Sequence, residues 1–213
     1  MPMSIRRFLR IFTPGPWRYR AQRASEVIRG VDFMRIVEAH EVGLDPALAV
    51  HSSPSGNRYL IRALEAMSIT PADRILDIGC GKGSAMSVML KLPFAAVDGV
   101  ELSEEIASIA RANFVALGVP AERCKVRAAD ATALRTELDG YSHFYMYNPF
   151  RSPIMKRVAA NLSESLDRHP RSVSLLYNTP ACRADIDATG RFEVVRSFEG
   201  VDGAEMLWYR SRA

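Results

Sequence analysis

Asp77 stands two residues ahead of Gly79 in the stretch RILDIGCGKGSA, and Gly81 and Gly83 follow at alternate positions. An apolar run (Ile75, Leu76, Ile78) that stops at glycines and gives way to small residues is a strand entering a glycine turn and then a helix. Turns of this kind bring backbone against a nucleotide. The dinucleotide fingerprint G-x-G-x-x-G needs a third glycine at position 84, which is Ser84. The phosphate-loop signature fails too, because Lys82 belongs to no Gly-Lys-Ser or Gly-Lys-Thr triplet. A carboxylate at position 77 would repel a pyrophosphate and suits a cation.

Two further acids narrow the ligand. Glu101, 22 residues beyond Gly79, ends the next apolar run, where a carboxylate can accept both hydroxyls of a ribose. Asp130, in AADATAL, ends a third run, placed for an adenine amino group. Ribose, adenine and a positive charge, with no phosphate required, describe S-adenosylmethionine. Ser84 and Asp77 both disfavour nicotinamide-dependent oxidoreduction.

Strand ends must position these acids, and the hydrophobic pattern supplies them. Strands at 74–78, 95–101, 123–128, 142–147 and 172–177 alternate with helices starting near Ser55 and over 84–91, 104–117, 131–138 and 153–167. Ser103 is a natural N-cap, with Glu104 and Glu105 in the positive first turn. RFEVVRSF and AEMLWYR read as two consecutive strands. The expected fold is α/β: a doubly wound, mostly parallel, seven-stranded Rossmann-like sheet with a C-terminal antiparallel hairpin, plus N-terminal helices. Of those helices, one runs from Ile5 to Phe12 and is ended by TPGP, and a second spans about Ala21 to His40. The expected division is an arm or lid over residues 1–50 and a binding domain over 51–213.

Residues 54–212 resemble the class I S-adenosylmethionine-dependent methyltransferases, on LDIGCGKG, GVELS, AADA and YNPF in that order. The resemblance implies methyl transfer by in-line displacement, with S-adenosylhomocysteine as product. It implies that Asp77, Gly79, Gly81, Glu101 and Asp130 line the cofactor site with the backbones of Cys80, Leu102 and Ala131. Glu101 would hold the ribose and the Gly79 region the methionine end. The motifs are also similar to those of a bacterial group loosely related to the non-SET histone lysine methyltransferases, in which Pro-Thr-Pro precedes the first core helix. Here PSG, Pro54 to Gly56, holds that place, so Ser55 either touches the cofactor carboxylate or caps the helix.

At the reacting end, Asn148-Pro149-Phe150 resembles the Asn/Asp-Pro-Pro-Tyr/Phe motif of amino-group methyltransferases, with one proline missing. The resemblance makes Asn148 the catalytic candidate and a further cofactor contact, with Pro149 and Phe150 on the acceptor; an ordinary Asn-Pro turn is the other reading. Tyr177, in LLYNTP, is a second candidate for the acceptor pocket. A base is needed only for an acceptor that arrives protonated, and His51 and His143 are the candidates. His51 lies in AVHSSPSG, which can loop over the cofactor, whereas His143 falls inside a strand and reads as a core histidine.

The net charge of +4 is unevenly spread: residues 1–23 hold six arginines and no acid, leaving 4 − 6 = −2 for the rest. Ile5, Phe8, Leu9 and Phe12 share one helical face opposite Arg6, Arg7 and Arg10. This arm either lies on an anionic membrane or other polyanion or packs its apolar face on the body. The body shows no basic cluster interleaved with aromatics that would mark a nucleic-acid groove. Cys80, Cys124 and Cys182 form no CxxC pair, which argues against a metal site or disulfide framework; with no signal-peptide pattern, a cytoplasmic location is expected. The acceptor, a small molecule or protein side chain, has no motif. The alternative function is a non-catalytic partner subunit that keeps the cofactor pocket and docks through its basic arm.

Overall fold

The computed structural model describes residues 14–38, 41 and 53–212. Helix α1 (Pro14–Arg29) is followed by an irregular segment to residue 38, and α2 (Arg58–Glu65) leads into the sheet. Then come β1 (Arg74–Ile78), α3 (Ser84–Met89), β2 (Ala96–Glu101), α4 (Glu104–Ala116), β3 (Val126–Ala128) and two 3-10 turns, Ala131–Ala133 and Thr136–Gly140. The chain continues as β4 (His143–Tyr147), α5 (Ser152–Arg168), β5 (Ser174–Asn178), α6 (Arg183–Asp187), β6 (Phe192–Glu199) and β7 (Glu205–Ser211).

The seven strands form one sheet in the order β3-β2-β1-β4-β5-β7-β6. The first five are parallel, and β7 inserts antiparallel between β5 and β6. β1 pairs with β2 on one side and β4 on the other, so the chain winds outward from β1 in both directions. The crevice outside the carboxyl ends of β1 and β4 is therefore the topological switch point, where ligands bind in open α/β sheets.

Both faces are covered, which explains why β2 is buried along its whole length. Alternate residues serve alternate faces. Ile75, Tyr145, Leu176 and Trp208 pack with α2, α3 and α4 on one face. Leu76, Ile78, Phe144 and Tyr177 pack with α5 and α6 on the other. Asp77 shares the parity of Ile75 and is register partner of Tyr145, which places both acid and phenol on the α2–α4 face.

Several boundaries differ from the sequence pattern. TPGP opens a helix rather than ending one: Pro14 starts α1, consistent with proline's preset φ and missing N–H at a helix start. That helix stops at Gly30 (φ 67°), short of His40. The amphipathic stretch 5–12 lies outside the described residues. Ser55 is not the cap of α2; Asn57 is, its side chain accepting from the amides of Tyr59 and Leu60. The expected helix at 131–138 is two 3-10 turns, and α6 was unforeseen because five residues show no periodicity.

Candidate active site

The glycine loop is stitched to the end of β2. The amides of Gly79 and Cys80 donate to Val100 O at 2.9 and 3.0 Å. Glu101 then clamps the loop with both carboxylate oxygens: Gly81 N donates to Oε2 at 3.0 Å and Ser103 N to Oε1 at 3.1 Å. Each oxygen keeps a lone pair for a ligand hydroxyl. Gly79 has φ 80°, and a Cβ there would meet Pro149 Cβ at 2.6 Å. The turn after β4 thus lies directly on the turn after β1. The loop before α2 closes from above, since Gly56 N donates to Ser84 Oγ at 3.1 Å and a Cβ on Gly56 would stand 2.2 Å from Ser84 O.

Inside this frame sit two buried acids. Asp77 is 2% exposed, and among the described residues none donates a hydrogen bond to its carboxylate. Burial pushes its pKa well above the ordinary carboxylate range, and the neighbouring Glu101 adds to the rise. Burial also raises Glu101, against the opposing pull of the Ser103, Gly81 and Leu102 amides. The loop's own cation does not neutralise them. Lys82, between Gly81 and Gly83, is 3% exposed and turns its Nζ to Asp32 Oδ1 at 2.9 Å.

The remaining candidates fall into three groups. Asn148, Pro149 and Phe150 are half-buried at the end of β4, Asn148 at φ 41°. Ser55 is buried, as is Tyr145, whose hydroxyl accepts from Asn178 Nδ2 at 3.2 Å. Thr179, just beyond Asn178, holds φ 50°, a strained value for a β-branched residue. Around the rim, Leu102 is 49% exposed, Ala131 is buried and Asp130 is exposed, accepting from Thr132 N at 2.8 Å. Cys80 is buried against Gly99, and burial pushes its thiol pKa up. Tyr177 is buried on the face opposite Asp77, in the cluster against which Phe150 packs; its hydroxyl accepts from Cys182 N at 3.1 Å, and Cys182 Sγ reaches Phe150 O at 3.6 Å. His51 lies outside the described residues. His143 is at the far end of β4, buried against Phe94, and burial lowers its pKa.

Sequence reading missed Tyr145, Asp32 and Asn113. Tyr145 carried a signal, its parity with Asp77 across the β1–β4 pair. Asp32 and Asn113 carried none, being isolated polar residues. The described residues contain no cluster of His, Cys, Asp or Glu able to hold a metal ion.

Known proteins agree with this geometry. Residues 75–169 match the family described as Methyltransferase domain. The matched stretch, less than half of the chain, runs from β1 into the end of α5 and is similar to a methyltransferase domain. Over 80 residues, 38% of this chain, it is 34% identical to ribosomal RNA small subunit methyltransferase A of Parasynechococcus marenigrum (strain WH8102), and it spans 25% of that protein. A SAM dependent methyltransferase from Aquifex aeolicus superposes with a TM-score of 0.59 at 12% identity, over 72% of this chain and 89% of that one. An RNA methyltransferase from Salinibacter ruber, in complex with S-adenosyl-L-homocysteine, gives 0.58 at 16% identity over 74% and 93%. At such identities the likeness is one of fold. No described helix of the domain is long and apolar enough to cross a membrane.

Proposed function

We propose that this chain transfers a methyl group from S-adenosylmethionine to an amine or hydroxyl of a small molecule or protein side chain. The observation that carries the reading is the buried Asp77 carboxylate, without a hydrogen-bond donor among the described residues and beside a second acid. A buried anion left unpaired is costly, and a cationic ligand removes that cost. Bound there, S-adenosylmethionine supplies an electrophilic methyl on a positively charged sulfur.

The chain's own residues then bind and orient. Asp77 offers a counter-charge, and Glu101, already oriented by the Gly81 and Ser103 amides, offers its free lone pairs to the ribose hydroxyls. Asp130 and Ala131 stand at the rim for the adenine. Asn148 has φ 41° and is followed by Pro149, which lies against Gly79; a carbonyl oxygen of Asn148 would accept a hydrogen bond from the acceptor. Such positioning can supply about 7–11 kcal/mol of the barrier. His143, at the far end of β4, is removed from the acceptor, which leaves His51, outside the described residues, as the histidine candidate for a base. Residues 1–23 provide a basic contact for an anionic membrane or other polyanion. The alternative, a non-catalytic subunit that keeps the same pocket, has no observation in its favour.

Thermal unfolding with S-adenosylmethionine, S-adenosylhomocysteine and NAD in parallel tests the reading. At 100 times its dissociation constant a ligand stabilises by about 2.7 kcal/mol, roughly 5–10 °C for a chain this size. A shift with the first two alone is expected; no shift, or a shift with NAD, overturns the assignment.

A further inference from the structure

Lys82 lies where its ammonium would be expected to do harm. It is the cation of the glycine loop, adjacent to Gly81, whose amide is bound by Glu101. A lysine side chain leaning inward from this position would neutralise the acids that a cationic donor needs. Instead it is drawn outward. Its Nζ meets Asp32 Oδ1 at 2.9 Å, and its main-chain carbonyl accepts from Asn113 Nδ2 at 3.0 Å. Asn113 in turn holds Asp32 by the backbone, accepting from Asp32 N at 2.7 Å and donating to Asp32 O at 3.1 Å. The acid is thereby fixed in place by a residue of α4, independently of its own side chain.

The other charges around Lys82 would drive it away if Asp32 were neutral. Arg23 reaches Asp32 Oδ1 at 2.9 Å and Arg35 reaches Oδ2 at 3.5 Å, so two guanidinium groups share the acid with the ammonium. Glu26 also attracts the ammonium, but it is engaged by Arg23 at 2.8 Å and accepts from Phe33 N at 3.0 Å, so Asp32 remains the acid in direct contact. Burial makes Lys82 still more dependent on a counter-charge. On the inner side of the loop stand Asp77 and Glu101, the latter accepting only from backbone amides.

We infer that Asp32 is a positioning residue for the donor site: it holds the Lys82 ammonium outside the loop and so leaves the Asp77–Glu101 acids free to receive a cation. The inference rests on the donor reading above and goes beyond it in assigning a task to the N-terminal segment. It makes a prediction that a merely supporting contact does not. S-adenosylmethionine carries a sulfonium charge that S-adenosylhomocysteine lacks, so losing Asp32 weakens the first ligand selectively.

Isothermal titration of the full chain with both ligands, alongside melting curves, reads this out. Asp32→Asn is expected to weaken S-adenosylmethionine about tenfold, in the range typical for such couplings, and S-adenosylhomocysteine much less. The double variant D32N/K82M, with no ammonium left to swing inward, recovers the affinity ratio of the wild type, and K82M alone retains it. Equal weakening of both ligands by D32N, or a double variant no better than D32N, overturns the inference. If D32N does not fold, the ratio in K82M and in the double variant decides alone: a lost preference in either refutes it. A wild-type chain that binds neither ligand overturns the donor reading itself, which wild-type binding with an unselective D32N does not.

Discussion

Replacing Asp77 by asparagine should make the free protein more stable while abolishing donor binding. The carboxylate is 2% exposed, accepts no hydrogen bond from a described residue and faces Glu101, so its ionised form is penalised in the folded state. The folded pKa lies above the unfolded one, so the unfolded chain gives up its proton first as pH rises. The penalty is therefore absent below the unfolded pKa of about 3.9, grows as pH climbs toward the raised folded value, and is complete above it. An unsatisfied buried group costs about 1–3 kcal/mol, more when charged. For a chain of this length that corresponds to an increase in melting temperature of roughly 3–10 °C in Asp77→Asn at neutral pH. Melting curves between about pH 4 and pH 8 should show the variant's advantage shrinking as the buffer is acidified. The same curves with saturating S-adenosylmethionine should show the wild type gaining and the variant unchanged. A variant that melts below wild type at neutral pH and still responds to the ligand would refute both the electrostatic argument and the site.

Other substitutions separate the parts of the site. Glu101→Gln leaves one oxygen to accept from Gly81 and Ser103 and places an amide N–H₂ against the other N–H, so donor affinity should fall by more than tenfold, about 1.4 kcal/mol, in a titration. Gly79→Ala puts a methyl 2.6 Å from Pro149 Cβ at φ 80°; the expected cost is about 1–3 kcal/mol in denaturant unfolding, with displacement of the acceptor turn. Asn148→Ala should lower kcat with little change in donor affinity, and a loss confined to donor binding would move Asn148 out of the acceptor site. Deleting residues 1–12 should leave donor affinity intact while changing association with anionic vesicles or acceptor use; lost donor affinity would contradict that division.

The strands and the three acids were legible because parallel strands covered on both faces tend to be continuous apolar runs: Asp77 stands one residue before the end of β1, Glu101 ends β2 and Asp130 lies two residues beyond β3. β1 falls where the pattern places it, at Arg74–Ile78, and α4 begins at Glu104 behind the Ser103 cap. Local chemistry misled at two points. TPGP fits a helix start as well as a stop, and both Ser55 and Asn57 can cap, the choice going to Asn57, directly before Arg58; the Asn57 side chain accepts from Tyr59 N and Leu60 N. Tyr177 was named from its place near the end of β5; its parity puts the ring on the face opposite Asp77, where Phe150 also packs. The Asp32–Lys82–Asn113 cluster was invisible for a different reason. No periodicity links a residue of an irregular segment to a helix far along the chain.

That separation has a consequence for how the molecule assembles. The bond from Asp32 to Asn113 joins residues 81 positions apart, whereas the β1–α3–β2 unit that carries the glycines is local in sequence. Closing the longer loop adds little entropy beyond closing a shorter one, but its partner is a helix that itself packs on β2 and β3, so the contact is expected to form after that helix docks. The N-terminal segment is synthesised first and finds its place late. In the mature protein it should be among the first pieces to open, its Asp32 amide exchanging with solvent well before the amides of β1 and β4. Donor-binding competence would then be acquired at the end of folding and lost at the beginning of unfolding, so bound donor would select for chains whose assembly is complete.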